Sequence, residues 1–250
     1  MQGTRAGARL RGESVVQFDY VEHNVHRVLE RVTLAAARAG VTPPTVVAVT
    51  KSGTDEEVLA LAGTRLISHL GENRTACLTA RQQLLSDAGA AMTYHLVGSL
   101  QTNKVRQVTG RVDLIHSLDS IRLAEEIEKQ SAKRGCVTSC LIEINSGREA
   151  AKGGVLPEEA EALLASVLAL PHIRVRGLMT MAPPHLSPDE YRPYFALTRL
   201  LFEKLGQGGT FGDDPVLSMG MTDSFEVAIE EGATLVRIGR AFFENNQSPT

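Results

Sequence analysis

Several features that mark large protein classes are absent or scarce in this chain of 250 residues. Tryptophan is absent and aromatic residues make up only 4%, so the sequence offers little for stacking nucleic-acid bases. No apolar stretch approaches the roughly 18 residues that a membrane-spanning helix needs. The formal net charge of −3 creates no strong field that would recruit nucleic acid or an anionic membrane. We therefore expect neither of these as a partner.

Cysteine is also scarce. The three cysteines, Cys77, Cys136 and Cys140, are odd in number and widely spaced, which argues against a disulfide framework and suits a reducing cytoplasm. Cys136 and Cys140 lie four residues apart without a neighbouring histidine or second cysteine pair. We therefore predict no metal site and interpret these two as small buried residues.

The first residues carry no folding signal. Residues 1–12 are rich in glycine, alanine and arginine, contain no acidic residue and lack the apolar region of a secretory signal. We expect residues 1–13 to form a disordered tail and residues 14–250 to form a single domain. A helix with apolar residues at helical spacing comes first and should end by Gly40.

Beyond Gly40 the chain alternates short apolar runs with helical patterns. Eight runs are predicted as strands, each followed by a helix: residues 46–50, 66–70, 92–97, 112–116, 138–144, 175–181, 216–219 and 235–238. Such alternation is typical of a parallel α/β sheet, and eight units in about 250 residues predict a single (β/α)8 TIM barrel with an extra N-terminal helix. The alternative is an open doubly wound sheet, but no Gly-x-Gly-x-x-Gly follows the first strand.

Lys51 is the most informative single residue. It comes directly after the run Val46–Thr50, which is typical of a strand buried on both faces. A lysine there could be partly desolvated, which makes an amine nucleophilic toward carbonyls. Taken alone, Lys51 could equally be a lysine that extends its ammonium from a strand end into water.

A second group of polar residues follows the last two predicted strands. In barrels the loops after strands seven and eight often bind phosphate. Ser218, Gly220 and Thr222 offer hydroxyls and close backbone N–H groups, although the same sequence could form only a tight turn. Gly239 lets the backbone approach a ligand closely just before Arg240.

Arg237 lies within the eighth strand and needs a partner, either in a structural ion pair or on a bound ligand. A reactive lysine and a phosphate cradle at one mouth suggest a ligand with both an aldehyde and a phosphate. Pyridoxal 5′-phosphate has both groups and binds lysine as a Schiff base.

The chain resembles the pyridoxal phosphate homeostasis protein family, single-barrel relatives of the alanine racemase N-terminal domain. The resemblance covers residues 46–243 and rests on the order and spacing of many short motifs. They are 48–51 (Ala-Val-Thr-Lys), 71–73 (Gly-Glu-Asn), 95–104 (His-Leu-Val-Gly-Ser-Leu-Gln-Thr-Asn-Lys), 117–120, 144–145 with Lys152 and Gly153, 177–181, 218–226 (Ser-Met-Gly-Met-Thr-Asp-Ser-Phe-Glu) and 236–239.

The resemblance implies a role for each matching residue. Lys51 would carry pyridoxal phosphate as a Schiff base, and Arg237 would face the pyridine nitrogen, which leaves that nitrogen unprotonated and carbanion chemistry weak. The remaining cofactor-binding residues divide into two groups. Those at the phosphate would be Ser218, Gly220, Gly239 and Arg240; those lining the ring pocket would be Asn73, His95 and Met219.

Three positions depart from the family pattern. The family usually has an aromatic residue where this chain has Arg74, Ser-Lys-Thr where it has Thr50–Ser52, and Phe at the end of the segment that here reads Ser68–Leu70. Arg74 at the mouth could alter access or bind an anion. None of the three removes a predicted cofactor contact.

The implied function is cofactor homeostasis without efficient turnover: the protein would buffer pyridoxal phosphate or deliver it to apoenzymes. An amino acid racemase is the first alternative, but it needs a second base on the opposite face of the cofactor. In alanine racemases a tyrosine from a second domain supplies it. This chain ends about eleven residues after the eighth strand, and Tyr94 should point away from wherever His95 points. Without that second domain we also expect a monomer.

A cofactor-independent Schiff-base aldolase is the second alternative. It needs an acid/base partner beside the lysine, and Glu72 is the obvious one.

Overall fold

The structure is a computed structural model that describes residues 18–245. The predicted tail at residues 1–13 lies outside the described residues. Our assignment of residues 14–250 to one domain therefore stays a prediction. None of the described helices is long and apolar enough to cross a membrane.

Eight parallel strands form a closed barrel in the order of the sequence. The ring closes where β1 pairs with β8, with Ala48 opposite Ile238. The predicted α/β class and TIM-barrel fold are confirmed. The strands are β1 (Thr45–Val49), β2 (His69–Glu72), β3 (Thr93–Leu96), β4 (Leu114–Leu118), β5 (Thr138–Ile144), β6 (Ile173–Thr180), β7 (Val216–Ser218) and β8 (Leu235–Ile238).

The helices surround the barrel, and an additional helix comes before the first strand, as predicted. This first helix ends at Gly40, whose left-handed φ of 66° lets the chain turn away. The helices are α1 (Asp19–Ala39), α2 (Asp55–Gly63), α3 (Thr75–Asp87), α4 (Val105–Val108), α5 (Ile121–Arg134), α6 (Ala160–Leu168), α7 (Pro188–Leu205), α8 (Phe225–Glu230) and α9 (Arg240–Phe243).

Alternation along each strand divides the core into two parts. Residues such as Ala48 and Leu217 point outward and pack under the helices. Their neighbours point into the barrel and form a separate cluster: Val47, Val49, Val97, Leu114, Leu141, Met179, Val216 and Leu235. Side chains that share the parity of this inner cluster and lie nearer the carboxyl ends of the strands therefore face the mouth of the barrel.

Two strand boundaries differ from the prediction in ways that matter for the site. β2 begins at His69 rather than residue 66, because Leu66 is half exposed and Arg65 has a φ of 57° that ends extended structure. β1 ends at Val49, and residues Thr50–Ser52 form a 3-10 turn. The later start of β2 and the earlier end of β1 both change where the neighbouring polar side chains lie relative to the barrel.

Candidate functional site

Lys51 stands on the rim of the barrel mouth. It lies in the 3-10 turn after β1 and its side chain is exposed, so the expected partial desolvation is not found. The reason is that β1 ends two residues earlier and the turn lifts Lys51 out of the sheet. The side chain borders a concavity of about 360 Å³ that is also lined by Asn73, Arg74 and Arg81.

Small residues fix this rim. A Cβ on Gly53 would lie 2.8 Å from the ring of Phe243 in α9, so only glycine lets the Lys51 turn pack there. A Cβ on Gly98 would lie 2.2 Å from the backbone oxygen of Asn73. The Ser117 hydroxyl donates to the Gly98 carbonyl at 2.8 Å and holds that loop. Lys51 and Asn73 are thus brought to one concavity.

Glu72 lines the same concavity, but its carboxylate is already engaged. It accepts hydrogen bonds from the Thr50 hydroxyl and, at 3.4 Å, from Arg81 Nε. The side chain is buried at the end of β2. These contacts join the Lys51 turn to β2 and α3, which is a structural role for the residue that the aldolase alternative requires as its acid/base group.

Below the rim, Arg237 extends into the barrel and is only 4% exposed. Its Nη1 donates to the Ser218 hydroxyl at 2.5 Å and its Nη2 donates to the Thr180 carbonyl at 3.0 Å. Burial lowers the pKa of Arg237 to about 10, and the charge of Glu143 opposes that shift. The guanidinium is therefore still a cation at neutral pH, and it is held by the carboxyl ends of β6 and β7.

A line of three histidines continues from Ser218 across the barrel interior. The Ser218 hydroxyl lies 3.0 Å from His116 Nδ1, and His116 Nε2 lies 3.0 Å from His95 Nδ1. His95 Nε2 in turn lies 2.9 Å from Nδ1 of His69, which is partly exposed. Each contact between two ring nitrogens needs one protonated and one bare nitrogen. All hydrogen bonds between the rings are therefore donated toward the same end of the line.

All three histidines are held neutral by their surroundings. Burial, followed by the charges of His69 and Arg176, lowers the pKa of His95 to about 3. Burial, followed by the charges of His95 and Arg237, places the pKa of His116 well below its usual range. Burial also lowers the pKa of His69, partly opposed by Asp113.

Three predicted cofactor residues have partners within the protein. Both ring nitrogens of His95 contact the neighbouring histidines. The Met219 side chain has the outward parity and is fully buried among the residues under the helices. Ser218 contacts Arg237 and His116, and the cofactor roles of the three residues stay predictions.

The predicted phosphate loops retain free donors. Within residues 18–245, the backbone N–H groups of Gly220 and Thr222 and the Thr222 hydroxyl make no hydrogen bond. Gly220 has a φ of 90°, and a Cβ there would lie 2.6 Å from Ala228, so the loop packs closely on α8. At the end of the neighbouring strand β8, a Cβ on Gly239 would lie 3.1 Å from the Val49 carbonyl. These unpaired donors and open backbones fit an anion.

Arg240 is placed differently from its glycine neighbour. Its side chain is exposed and forms an ion pair with Asp223 at 2.6 Å. The side chain therefore joins the two predicted phosphate loops to each other.

Glu143 is an interior residue that the sequence analysis missed. It lies in β5, and burial, followed by the charge of Asp119, raises its pKa to about 7 against the opposing charge of Arg237. The signal was present, since an acidic residue interrupts the apolar run of residues 138–144. Among the described residues no group of three or more metal-ligating side chains is arranged to hold a metal ion.

The two buried histidines predict a measurable sensitivity to acid. Below pH 6.5 the unfolded chain takes up a proton on His95 that the folded chain excludes until about pH 3, so stability falls as the pH drops through this window. The expected loss is about 2 kcal/mol between pH 6.5 and pH 5 for this histidine. Glu143 has the opposite sign, because a raised carboxyl pKa favours the folded state as the pH falls below about 7.

Urea unfolding at pH 7 and pH 5 isolates the histidine contribution by comparison with His95→Gln, since Glu143 is common to both proteins. The variant should lose about 2 kcal/mol less than the wild type between these values. His26→Gln, at an exposed position on α1, is the control and should match the wild type. An equal loss in His95→Gln and wild type would contradict the buried neutral state.

Comparison with known proteins places this geometry in a family. The model of the alanine racemase N-terminal domain family matches residues 19–247. The chain is 43% identical over 218 residues to the pyridoxal phosphate homeostasis protein of Aquifex aeolicus, an alignment that spans 87% of this chain and 94% of that relative. PipY of Synechococcus elongatus, solved with PLP bound, is 31% identical with a TM-score of 0.73 and matches over 86% of this chain and 99% of its own.

The full-length racemases share the fold at lower identity. Alanine racemase of Clostridium difficile is 17% identical with a TM-score of 0.70, and the match covers 92% of this chain but 61% of the racemase. The extent of the family match and the identity to the Aquifex protein carry the assignment. This chain belongs to the alanine racemase N-terminal domain family and, within it, to the pyridoxal phosphate homeostasis proteins.

Proposed function

We propose that this protein binds pyridoxal phosphate at the barrel mouth, attached at Lys51, and buffers or delivers the cofactor without efficient catalytic turnover. The observation that carries the proposal is a buried, donor-only Arg237 fixed by Ser218 and the Thr180 carbonyl beneath a lysine on the rim. The relatives named for pyridoxal phosphate homeostasis and the PLP-bound PipY support it.

The residues present fit this cofactor. Its aldehyde condenses with a primary amine and releases water, which creates a covalent yet reversible attachment. Lys51 supplies an accessible amine, and Asn73 borders the same concavity. The free donors of Gly220 and Thr222, with the open backbone at Gly239, would hold the phosphate.

Arg237 makes efficient catalysis unfavourable. A carboxylate facing the pyridine nitrogen would keep that nitrogen protonated, and the protonated ring would draw electrons from the substrate. A guanidinium can only donate hydrogen bonds to that nitrogen. With a pKa of about 10, Arg237 stays protonated at neutral pH. The site would therefore hold the cofactor while doing little to stabilise charge on a bound amino acid.

No tyrosine within residues 18–245 is placed as the second base that the racemase alternative needs. Tyr94 packs under the helices, its backbone N–H donates to Asp113, and burial followed by the charge of Asp113 raises its pKa. The other tyrosines, Tyr20, Tyr191 and Tyr194, lie on α1 and α7. We keep the sequence-based prediction that the protein works as a monomer.

Two measurements on the cofactor-loaded protein test this proposal. Conversion of L-alanine to D-alanine should be at least about a thousandfold slower than with an alanine racemase, because the second base is missing. Mixing with an excess of a pyridoxal phosphate-dependent apoenzyme should restore that enzyme's activity as the absorption of the loaded protein decays. Racemase-level conversion of L-alanine to D-alanine, or a loaded protein that never gives up its cofactor, would contradict the carrier function.

A further inference from the structure

The flank of the barrel carries a second concavity with an unusual charge. It measures about 600 Å³ and is lined by residues of α3, the turn before α4, α4 itself, the loop after α4 and the end of α5. Four of the lining residues are basic and none is acidic: Lys104, Arg106, Arg111 and Arg134. We call these four residues and their concavity the basic pocket.

The charges of the basic pocket are uncompensated. Within residues 18–245, none of the four side chains makes an ion pair, although exposed arginines elsewhere, such as Arg148 and Arg192, pair with glutamates. The chain as a whole is slightly acidic, so the pocket is a local feature. Gathering four cations without an anion costs electrostatic free energy, and a bound anion would offset that cost.

Two of the arginines are held in place by the protein. Arg111 Nη1 donates to the Thr79 hydroxyl at 2.7 Å, and Arg134 Nη2 donates to the Arg106 carbonyl at 2.8 Å. Gln82 Nε2 also bonds the Arg111 carbonyl at 2.6 Å. These contacts fix two guanidinium groups on opposite elements of the pocket, so less side-chain entropy is lost when an anion binds.

We propose that the basic pocket binds a chain of two or more phosphates. The volume lies in the range of small-molecule sites, roughly 300–1,000 Å³, and four separated cations can contact several phosphates at once. No aromatic residue lines the pocket, so nothing is present to stack a nucleobase. Recognition would therefore be of the phosphate chain, whether free or part of a nucleotide.

This site is independent of the proposed cofactor function, although it lies close to it. Arg74 lines the Lys51 concavity and the next residue, Thr75, lines the basic pocket. α3 begins at Thr75, with no acidic residue in its first turn, so nothing on this helix end opposes an anion. An occupant would sit on the flank of the barrel without entering the mouth.

The test is calorimetric titration of the cofactor-loaded protein with inorganic tripolyphosphate at low salt. Tripolyphosphate should bind while the lysine–cofactor absorption stays unchanged, and raising NaCl from about 20 to about 200 mM should weaken binding about tenfold. ATP should bind within about threefold of tripolyphosphate, and inorganic phosphate at least about tenfold more weakly, since it reaches fewer cations.

The double variant Lys104→Gln/Arg106→Gln removes two positive charges. Neither of the two side chains makes a hydrogen bond in the described part of the chain. It should weaken tripolyphosphate binding at least about tenfold. Arg122→Gln/Arg174→Gln makes the same charge change at exposed positions outside the pocket and should change binding less than twofold.

The proposal would be overturned by no binding of tripolyphosphate at about 5 mM, or by equal weakening of binding in both double variants. Binding of ATP alone, or tighter binding of a thymidine oligonucleotide than of tripolyphosphate, would also overturn it. So would displacement of the cofactor by tripolyphosphate. The last would place the anion in the cofactor's phosphate cradle. Because the loaded protein is the starting material, a failure here leaves the cofactor assignment standing.

Discussion

Replacing Lys51 with alanine should abolish the visible absorption that pyridoxal phosphate gives when it is joined to this protein. Lys51 is the lysine that lines the concavity at the end of β1, and alanine leaves no amine there for the aldehyde. Because Lys51 is exposed on the rim, the substitution should change the free energy of unfolding by less than about 0.5 kcal/mol. Loss of the band would therefore report on attachment and not on folding.

Two further variants make this result specific. Lys51→Arg keeps the positive charge but cannot form the covalent link, so it should lose the band as alanine does. Lys204→Ala, at an exposed position that pairs with Glu161 at the far end of α7, should keep it. A Lys51→Ala protein that retained the full band would show that another amine holds the cofactor.

Replacing Arg237 with leucine should weaken pyridoxal phosphate binding about tenfold to a hundredfold. This range corresponds to the loss of a hydrogen bond donated by a charged group, worth about 1.5–3 kcal/mol. Leucine fills much of the same volume but leaves the Thr180 carbonyl without its Arg237 donor, so some loss of folding stability is expected as well. Ser218 keeps His116 as a partner in the variant.

Equilibrium dialysis at pH 7 measures this effect. Arg237→Lys retains a cation without the planar fork and should fall between leucine and wild type. Arg38→Gln, an exposed arginine paired with Glu230, is the matched control and should bind the cofactor as the wild type does. Wild-type affinity in the leucine variant would remove Arg237 from the cofactor site.

The succession of strands and helices in the barrel could be predicted from the sequence, because each strand is a short apolar run bounded by turn residues. β5 and β8 match the prediction at both ends, since their apolar runs coincide with the hydrogen-bonded part of the strand. β2 did not, because Leu66 and Ile67 continue the apolar pattern while the backbone at Arg65 has already turned. Local pattern therefore predicted the fold, and tertiary contacts fixed the boundaries.

The side-chain contacts of the site residues were harder to predict than the strand ends on which these residues lie. Alternation correctly separated Tyr94 from His95, because parity along a strand is a local property. The histidine line could not be predicted, since it joins β2, β3, β4 and β7 and depends on distances across the barrel. The contacts of Ser218 and Met219 could not be predicted for the same reason: their neighbours come from other strands.

The central claim is most directly tested by reducing the cofactor-loaded protein with borohydride and mapping the labelled peptide by mass spectrometry. The account predicts one stoichiometric label, on Lys51, and loss of the visible absorption as the label forms. A label on Lys104 or another surface lysine, or no label after incubation with pyridoxal phosphate, would contradict the assignment of the barrel mouth as the cofactor site.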